Sequence, residues 1–239
     1  MKYLYGPVKS RRIGYSLGIS LTSYKTCNFD CIYCQLGKTN NKTTERREYI
    51  KVSAIVDELK FWLGSKKDIT QSLEYITLSG SGEPTLNNKF GELILEIKKL
   101  TNLKVAVFTN AAFLSDKEVR RQIAGADLIV PSLDAVTQEL FVKIDRPQAG
   151  INIEDIINGL IALRREFRGK IWLEVMLVKG VNDDIRHIRK LKEIIASINP
   201  DKVQLNSPVR TTAEAGVLAV AKSKLKKIKE ILGENVEIF

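Results

Sequence analysis

Cys27-Asn28-Phe29-Asp30-Cys31-Ile32-Tyr33-Cys34 contains all three cysteines of this 239-residue chain. The spacing is C-x3-C-x2-C. Cysteines used as small apolar residues occur singly, so three thiols in one short loop read as a metal-binding set. Iron–sulfur clusters are held by cysteine thiolates, commonly four. Three thiolates hold three irons of a [4Fe–4S] cube and leave the fourth iron without a protein ligand. An open coordination position is where chemistry occurs. Other readings compete. Structural zinc needs four ligands, and the one histidine, His187, lies far off in a helical stretch. A disulfide would leave one thiol over. Inert packing does not explain the clustering.

Outward from this loop, strands and helices alternate. Tyr15–Leu21 reads as a strand, and the cluster loop spans 22–38 after a lead-in of 1–14. Val52, Ile55, Val56, Leu59, Trp62 and Leu63 recur at helical spacing. Tyr75–Leu78 is a short β run bounded by glycines. Phe90, Leu93, Ile94, Ile97 and Leu100 form a second helical stripe, and Val105–Phe108 a third strand. Ser115-Asp116-Lys117-Glu118 reads as a capping box opening a helix toward Ala124. Leu128–Val130 is a strand, followed by helices near Thr137–Ile144 and Asn152–Phe167. Strand Ile171–Val178, helix Asp184–Ile198, strand Lys202–Leu205, helix Ala219–Ile231 and a terminal strand Val236–Phe239 complete the series. Six βα units predict an α/β fold with a parallel sheet covered by helices. A partial (β/α)6 barrel and an open doubly wound sheet both fit this periodicity. The whole of 1–239 reads as one domain.

Hydrophobic residues make up 44% of the chain, ample for a core. There is no 18-residue apolar run, so no membrane helix is expected. The N-terminal residues lack a signal-like apolar stretch. With an odd cysteine count, this points to a reducing, cytoplasmic setting. The net charge of +10 favours anionic partners. Much of it lies on ordinary helix faces such as Lys222–Lys229, but Lys9, Arg11, Arg12 and Lys25 lead into the cysteine loop.

C-x3-C-x-aromatic-C, with Tyr33 in the aromatic slot, resembles the signature of the radical S-adenosylmethionine (SAM) superfamily. That resemblance selects the partial barrel and implies that SAM chelates the open iron. In parallel α/β folds, ligands bind at the carboxyl ends of the strands. Ser79-Gly80-Ser81-Gly82-Glu83-Pro84-Thr85-Leu86 at the second such end resembles the family's Gly-Gly-Glu motif, with Ser81 at its middle position. Glu83 is then expected to accept from the SAM ammonium, a charge-assisted bond, with Gly80, Ser81 and Gly82 around it. Thr109-Asn110 closes the third strand. Ser132-Leu133-Asp134 matches the position that contacts the SAM ribose, so Ser132 and Asp134 are assigned there. Phe141, Ile144, Arg146 and Pro147 resemble a family segment, with Arg146 a contact for the SAM carboxylate or the substrate. On the fifth strand, Glu174 is costly unless paired and is a candidate inward-facing residue, the surface side being the alternative, before the family-like Gly180-Val181-Asn182-Asp183. Gln204, Asn206 and Arg210 are candidates for the substrate mouth. His187 is expected to be a solvated helix residue.

Tyr5-Gly6-Pro7-Val8, Ser10–Gly14, Cys34–Gly37 and Pro208-Val209-Arg210 are similar to a compact prokaryotic subfamily of Fe–S oxidoreductases, loosely grouped with tRNA wyosine-base enzymes. Proline is expected there where this chain has Lys9 and Thr211-Thr212. The resemblance implies reductive SAM cleavage to a 5′-deoxyadenosyl radical that abstracts hydrogen from substrate, with flavodoxin or ferredoxin as electron donor. All three thiols are then cluster ligands. None remains for a methylated-cysteine mechanism or an auxiliary cluster, which argues against wyosine synthesis proper. The charge favours RNA or a small anionic molecule as substrate. An activase acting on a protein partner and a non-catalytic metal-binding scaffold are the alternatives.

Overall fold

The computed structural model describes residues 1–239. In chain order the elements are β1 (Leu4–Ser10), β2 (Gly14–Ser20), the two-residue strands β3 (Thr26–Cys27) and β4 (Asn41–Lys42), α1 (Val52–Ser65), α2 (Lys67–Ser72), β5 (Tyr75–Ser79), α3 (Phe90–Leu100), β6 (Lys104–Thr109), α4 (Lys117–Ile123), β7 (Leu128–Pro131), α5 (Gln138–Asp145), α6 (Ile153–Glu166), β8 (Lys170–Met176), α7 (Ile185–Ile198), β9 (Lys202–Asn206), α8 (Lys222–Leu232) and β10 (Val236–Ile238). The main sheet runs β1-β2-β5-β6-β7-β8-β9-β10. Every pairing from β2 onward is parallel, and β1 is antiparallel to β2.

This strand order decides between the two architectures the periodicity left open. A doubly wound sheet reverses its strand order at a switch point. Here the order never reverses, so the crossovers wind one way and the sheet curls like a barrel. Strands β1 and β10 remain separate edges, so the barrel is partial.

Side chains alternate across each strand. Leu17, Ile19, Ile76, Leu78, Val105, Val107, Ile129, Leu173, Val175, Val203 and Leu205 face the helices and join a 52-residue core. The concave face is different. There Ile13, from the β1–β2 turn, packs with Ala106, Leu128 and Val130, with Phe108 and Trp172 against them. The turn therefore folds into the barrel and seals its lower interior.

Several local expectations need correction. The lead-in, to which the pattern assigns no element, contains the strand Leu4–Ser10, hidden because its register shifts between Tyr5 and Val8, where Gly6-Pro7 interrupts the alternation. Helix α2 has no buried residue and so no apolar period to read. Asp116, not Ser115, caps α4, its side chain accepting from Glu118 N at 2.8 Å. The last helix begins at Lys222 rather than Ala219, because Val178 and Ala219 pair as an isolated bridge and Val220 is held by Ser207. His187 is buried on the inner stripe of α7 with Ile188, Leu191 and Ile195. Both its ring nitrogens lack partners, and burial lowers its pKa.

Candidate active site

The cysteine loop has little regular structure of its own; its shape comes from backbone bonds to distant segments. Lys25 N donates to Ser81 O at 2.6 Å and Glu83 N to Thr26 O at 3.1 Å, with Thr26 bridging Gly82 as a parallel pair. Asp30 N and Ile32 N donate to Asp145 O and Ile144 O at 3.0 and 2.9 Å, and Gln148 N to Asn28 O at 2.8 Å. Glu214 N donates to Ile32 O at 3.1 Å. The loop after β5, the end of α5 and the loop after β9 thus clamp it from three sides.

Two glycines make this approach possible. A Cβ on Gly82 would sit 1.8 Å from Thr26 O, so any side chain would break the bridge. Gly80 has φ +101°, a conformation that strains residues with a Cβ.

The three thiols are free. Phe29 N donates to Cys27 Sγ at 3.4 Å, Asn110 Nδ2 reaches the same sulfur at 3.7 Å, and Lys25 Nζ donates to Cys34 Sγ at 3.2 Å. Burial pushes Cys27 up to about 12, with Glu83 adding to it, and raises Cys31, with Asp145 adding to it. Burial thus disfavours the free thiolates of Cys27 and Cys31, and a bound metal would supply the positive charge that favours them. No three His, Cys, Asp or Glu side chains converge tightly enough to hold a single ion. Cluster ligands need no such convergence, because each thiolate binds a different iron. The donor set, with N–H groups and a lysine aimed at sulfur, fits an iron–sulfur cluster.

Glu83 is buried with four donors and no cation. Its Oε1 accepts from Thr85 N, Thr85 Oγ1 and Thr109 Oγ1 at 3.0, 2.6 and 2.7 Å, while Oε2 accepts only Asn110 N at 2.8 Å. Burial raises its pKa against these bonds. The carboxylate is therefore fixed in orientation, with one oxygen left to accept a further donor. Thr109 meets the site through Glu83, and Asn110 both through Glu83 and by its side chain toward Cys27.

Ser132, Asp134, Tyr33 and Asn110 line a narrow cleft with Phe29, Phe141 and Asp145. Ser132 is half-buried, and its hydroxyl makes no hydrogen bond within the protein. Asp134 differs from expectation: it is buried, one oxygen accepts the Tyr33 hydroxyl and the other accepts Met176 N at 2.7 Å. Its carboxylate is engaged within the fold rather than open to a ribose. The residue that sequence reading missed is Asp145. It is buried 3.4 Å from the Tyr33 hydroxyl, and burial pushes it up to about 7. A signal was present, since Phe141, Ile144 and Asp145 share one helix face at i, i+3 and i+4.

Arg146 ends α5 in the left-handed conformation and pairs with Glu214 at 2.6 Å. Lys38 pairs with the same carboxylate at 3.4 Å, Lys42 Nζ lies 3.3 Å from Arg146 O, and Arg210 donates to Gln35 Oε1 at 2.8 Å. These cations rim the mouth. Glu174 does face inward, paired with Arg12 and accepting Asn206 Nδ2 at 2.9 Å. Arg12 stacks on Phe108, 5.1 Å from the ring centre.

Comparison with known proteins matches residues 21–191 to the model of the Radical SAM superfamily. A Brachyspira hyodysenteriae protein named GTPase Obg is 41% identical over 99% of this chain, which spans only 34% of that protein's length. A UPF0026 protein of Methanocaldococcus jannaschii is 32% identical, covering 98% of this chain and 74% of its own. Among solved structures, a radical SAM methyltransferase from Sphaerobacter thermophilus shares the fold, with a TM-score of 0.70 at 17% identity over 94% of this chain and 65% of that one.

Proposed function

This chain belongs to the radical SAM superfamily and to the UPF0026 family; on that footing we propose that residues 1–239 form a catalytic core that generates a substrate radical on RNA or a small anionic molecule. The observation that carries the reading is the set of three free thiols on one loop, clamped beside the buried acceptor Glu83 and the unengaged Ser132. A [4Fe–4S] cluster and SAM supply, when bound, one-electron cleavage of the sulfonium to a 5′-deoxyadenosyl radical.

Every other part is played by the chain's own residues. Cys27, Cys31 and Cys34 hold the cluster. Lys25 and Asn110 donate toward the sulfurs, and such bonds raise a cluster's potential. Glu83 Oε2 accepts the ammonium of SAM, oriented by Thr85, Thr109 and Asn110. Ser132 bonds the ribose, while Asp134 and Asp145 fix the Tyr33 ring at the cleft wall. Arg146 answers the SAM carboxylate by exchanging it for Glu214. A solvent-screened ion pair of this kind is weak, so exchange is easy. Electrons come from flavodoxin or ferredoxin, acidic proteins suited to a chain of charge +10. Thiolate ligands and a low-potential cluster would be kept intact in a reducing compartment, and the cytoplasm suits that reading.

The test is anaerobic reconstitution with iron and sulfide, followed by dithionite, SAM and assay of 5′-deoxyadenosine. Cluster-dependent product that disappears in Cys31→Ala is expected. A zinc-loaded protein with no turnover would remove the reading.

A further inference from the structure

The concave face changes character partway up. Its lower layer is apolar, with Ile13, Ala106, Leu128 and Val130 packed together and Trp172 against them. Above it, Ser132 bridges Glu174, and Glu174 pairs in register with Gln204. Paired residues on adjacent strands share a face, so Ser132, Glu174 and Gln204 form one polar row across β7, β8 and β9. Asn206 stands one step above.

Two members of this row lack complements. Glu174 Oε1 takes both Arg12 and Asn206, and no hydrogen bond within the protein engages Oε2. Gln204 is fully buried, and neither Nε2 nor Oε1 has a partner. An orphaned buried amide is destabilising, and an apolar side chain of similar size would avoid that loss. A free carboxylate oxygen beside a buried, unpartnered amide is unused hydrogen-bonding capacity, one rung from the unengaged Ser132 hydroxyl; Gln204 is closed off from solvent as it stands, so a ligand meets it only by displacing a neighbour. Above it, Lys38, Lys42 and Arg210 crowd the rim.

We propose that the substrate is a phosphorylated nucleoside, free or within RNA, whose base bears an exocyclic amine: the base edge docks on Glu174 and Gln204, and phosphate meets Lys38, Lys42 and Arg210. The inference rests on the function proposed above. A carboxylate accepts from a base amine, and a glutamine amide reads an adjacent donor–acceptor pair. Docking exchanges Arg12 off Glu174. Arg12 is the more exposed partner, its side chain 29% accessible against 16% for Glu174. Two coupled recognition elements, rim charge and floor amide, favour a nucleotide over a peptide.

The experiment is calorimetric titration of the reconstituted, SAM-loaded protein with AMP, CMP, GMP and UMP, and with a short single-stranded RNA of mixed sequence. UMP has no exocyclic amine and is expected to bind at least about tenfold more weakly than the best of the other three. Gln204→Leu and Glu174→Gln each erase that preference. Gln204→Leu removes an orphaned amide and keeps its melting temperature at or above wild type, so it carries the test if Glu174→Gln fails to fold. Lys38→Ala with Arg210→Ala weakens all four nucleotides alike and flattens the salt dependence. Binding of RNA without free nucleotides, its strength following the number of amine-bearing bases, assigns the nucleoside to a polymer. Equal affinity for all four bases, a preference that survives both floor variants, or a SAM-binding protein that takes neither nucleotides nor RNA overturns the inference. A protein that binds no SAM overturns the underlying function, and this inference with it.

Discussion

The two halves of the strand-end surface are built on opposite principles. On the β2–β5–β6 side most polar groups are satisfied: Glu83 takes four donors, and the cysteine loop is tied through its backbone to Ser81 and Glu83, with Asn28 Nδ2 the one orphaned side-chain atom of that loop. On the β8–β9 side a charged row carries a free carboxylate oxygen and an orphaned amide. The difference teaches where the protein invests in rigidity. A cofactor of constant shape suits a preorganised cradle. A surface that must discriminate between substrates leaves groups open, because their pairing supplies specificity.

The largest effect that would break this contrast is in the cradle. Gly82→Ala places a Cβ on Thr26 O, and it is expected to lower stability by about 3 kcal/mol or more and to empty the cluster site. Urea denaturation together with iron and sulfide analysis checks both. A variant with wild-type iron content would mean that the backbone zipper does not shape the cysteine loop.

Next in size is the shared support. Leu78 is fully buried on the convex face of β5. Leu78→Ala should cost about 2–5 kcal/mol, measured as a shift in denaturation midpoint. Ligand affinities per folded molecule should stay near wild type, because the loss is in core packing and not at either site.

The open half should respond more softly. Arg12→Met breaks a partly buried pair and is expected to cost about 1–2 kcal/mol, discounted from the buried-pair range for its residual exposure. Pairing it with Glu174→Gln should recover part of that loss in a double-mutant cycle. Strict additivity of the two changes would sink the view that this pair holds the β1–β2 turn in place.

The smallest effect concerns pH. His187 has a folded-state pKa lowered by burial. The unfolded chain therefore binds more protons between that lowered value and the ordinary one near 6.5. Stability from this residue is present above about 6.5 and declines as pH falls through the window. His187→Leu should flatten the slope between about pH 7 and 5 in thermal melts of the apoprotein, and an unchanged slope would assign it to other groups. Asp201 acts at a lower range. Lys170, Ile171 N and Arg164 hold its pKa below the usual carboxylate value, so its contribution is lost only in stronger acid.

Much was legible along the chain. The apolar stripes of α1, α3 and α7 and the short β runs each report which face is buried, and that is a local property. The three thiols and Glu83 were legible because unusual residue types sit at short, fixed spacings. Asp145 went unseen although its helical spacing placed it on the buried stripe, since a carboxylate there reads as solvated until a neighbour such as Tyr33 is known. His187 was misplaced for the same reason. The role given to Asp134 shifted because its partners, Tyr33 and Met176, come from other elements.

Taken alone, the sequence determined the alternation of strands and helices, the gathering of all three thiols on one loop and the basic character of the chain. Those properties depend on composition and on neighbours within one helical turn or one loop. The tertiary structure decided that the sheet winds one way and stays open, and that Arg12 reaches across the interior to Glu174, 162 residues away. It also decided that Gln204 is buried without a partner. Strand order and cross-sheet pairing are set by packing among all the elements together, and no local period encodes them.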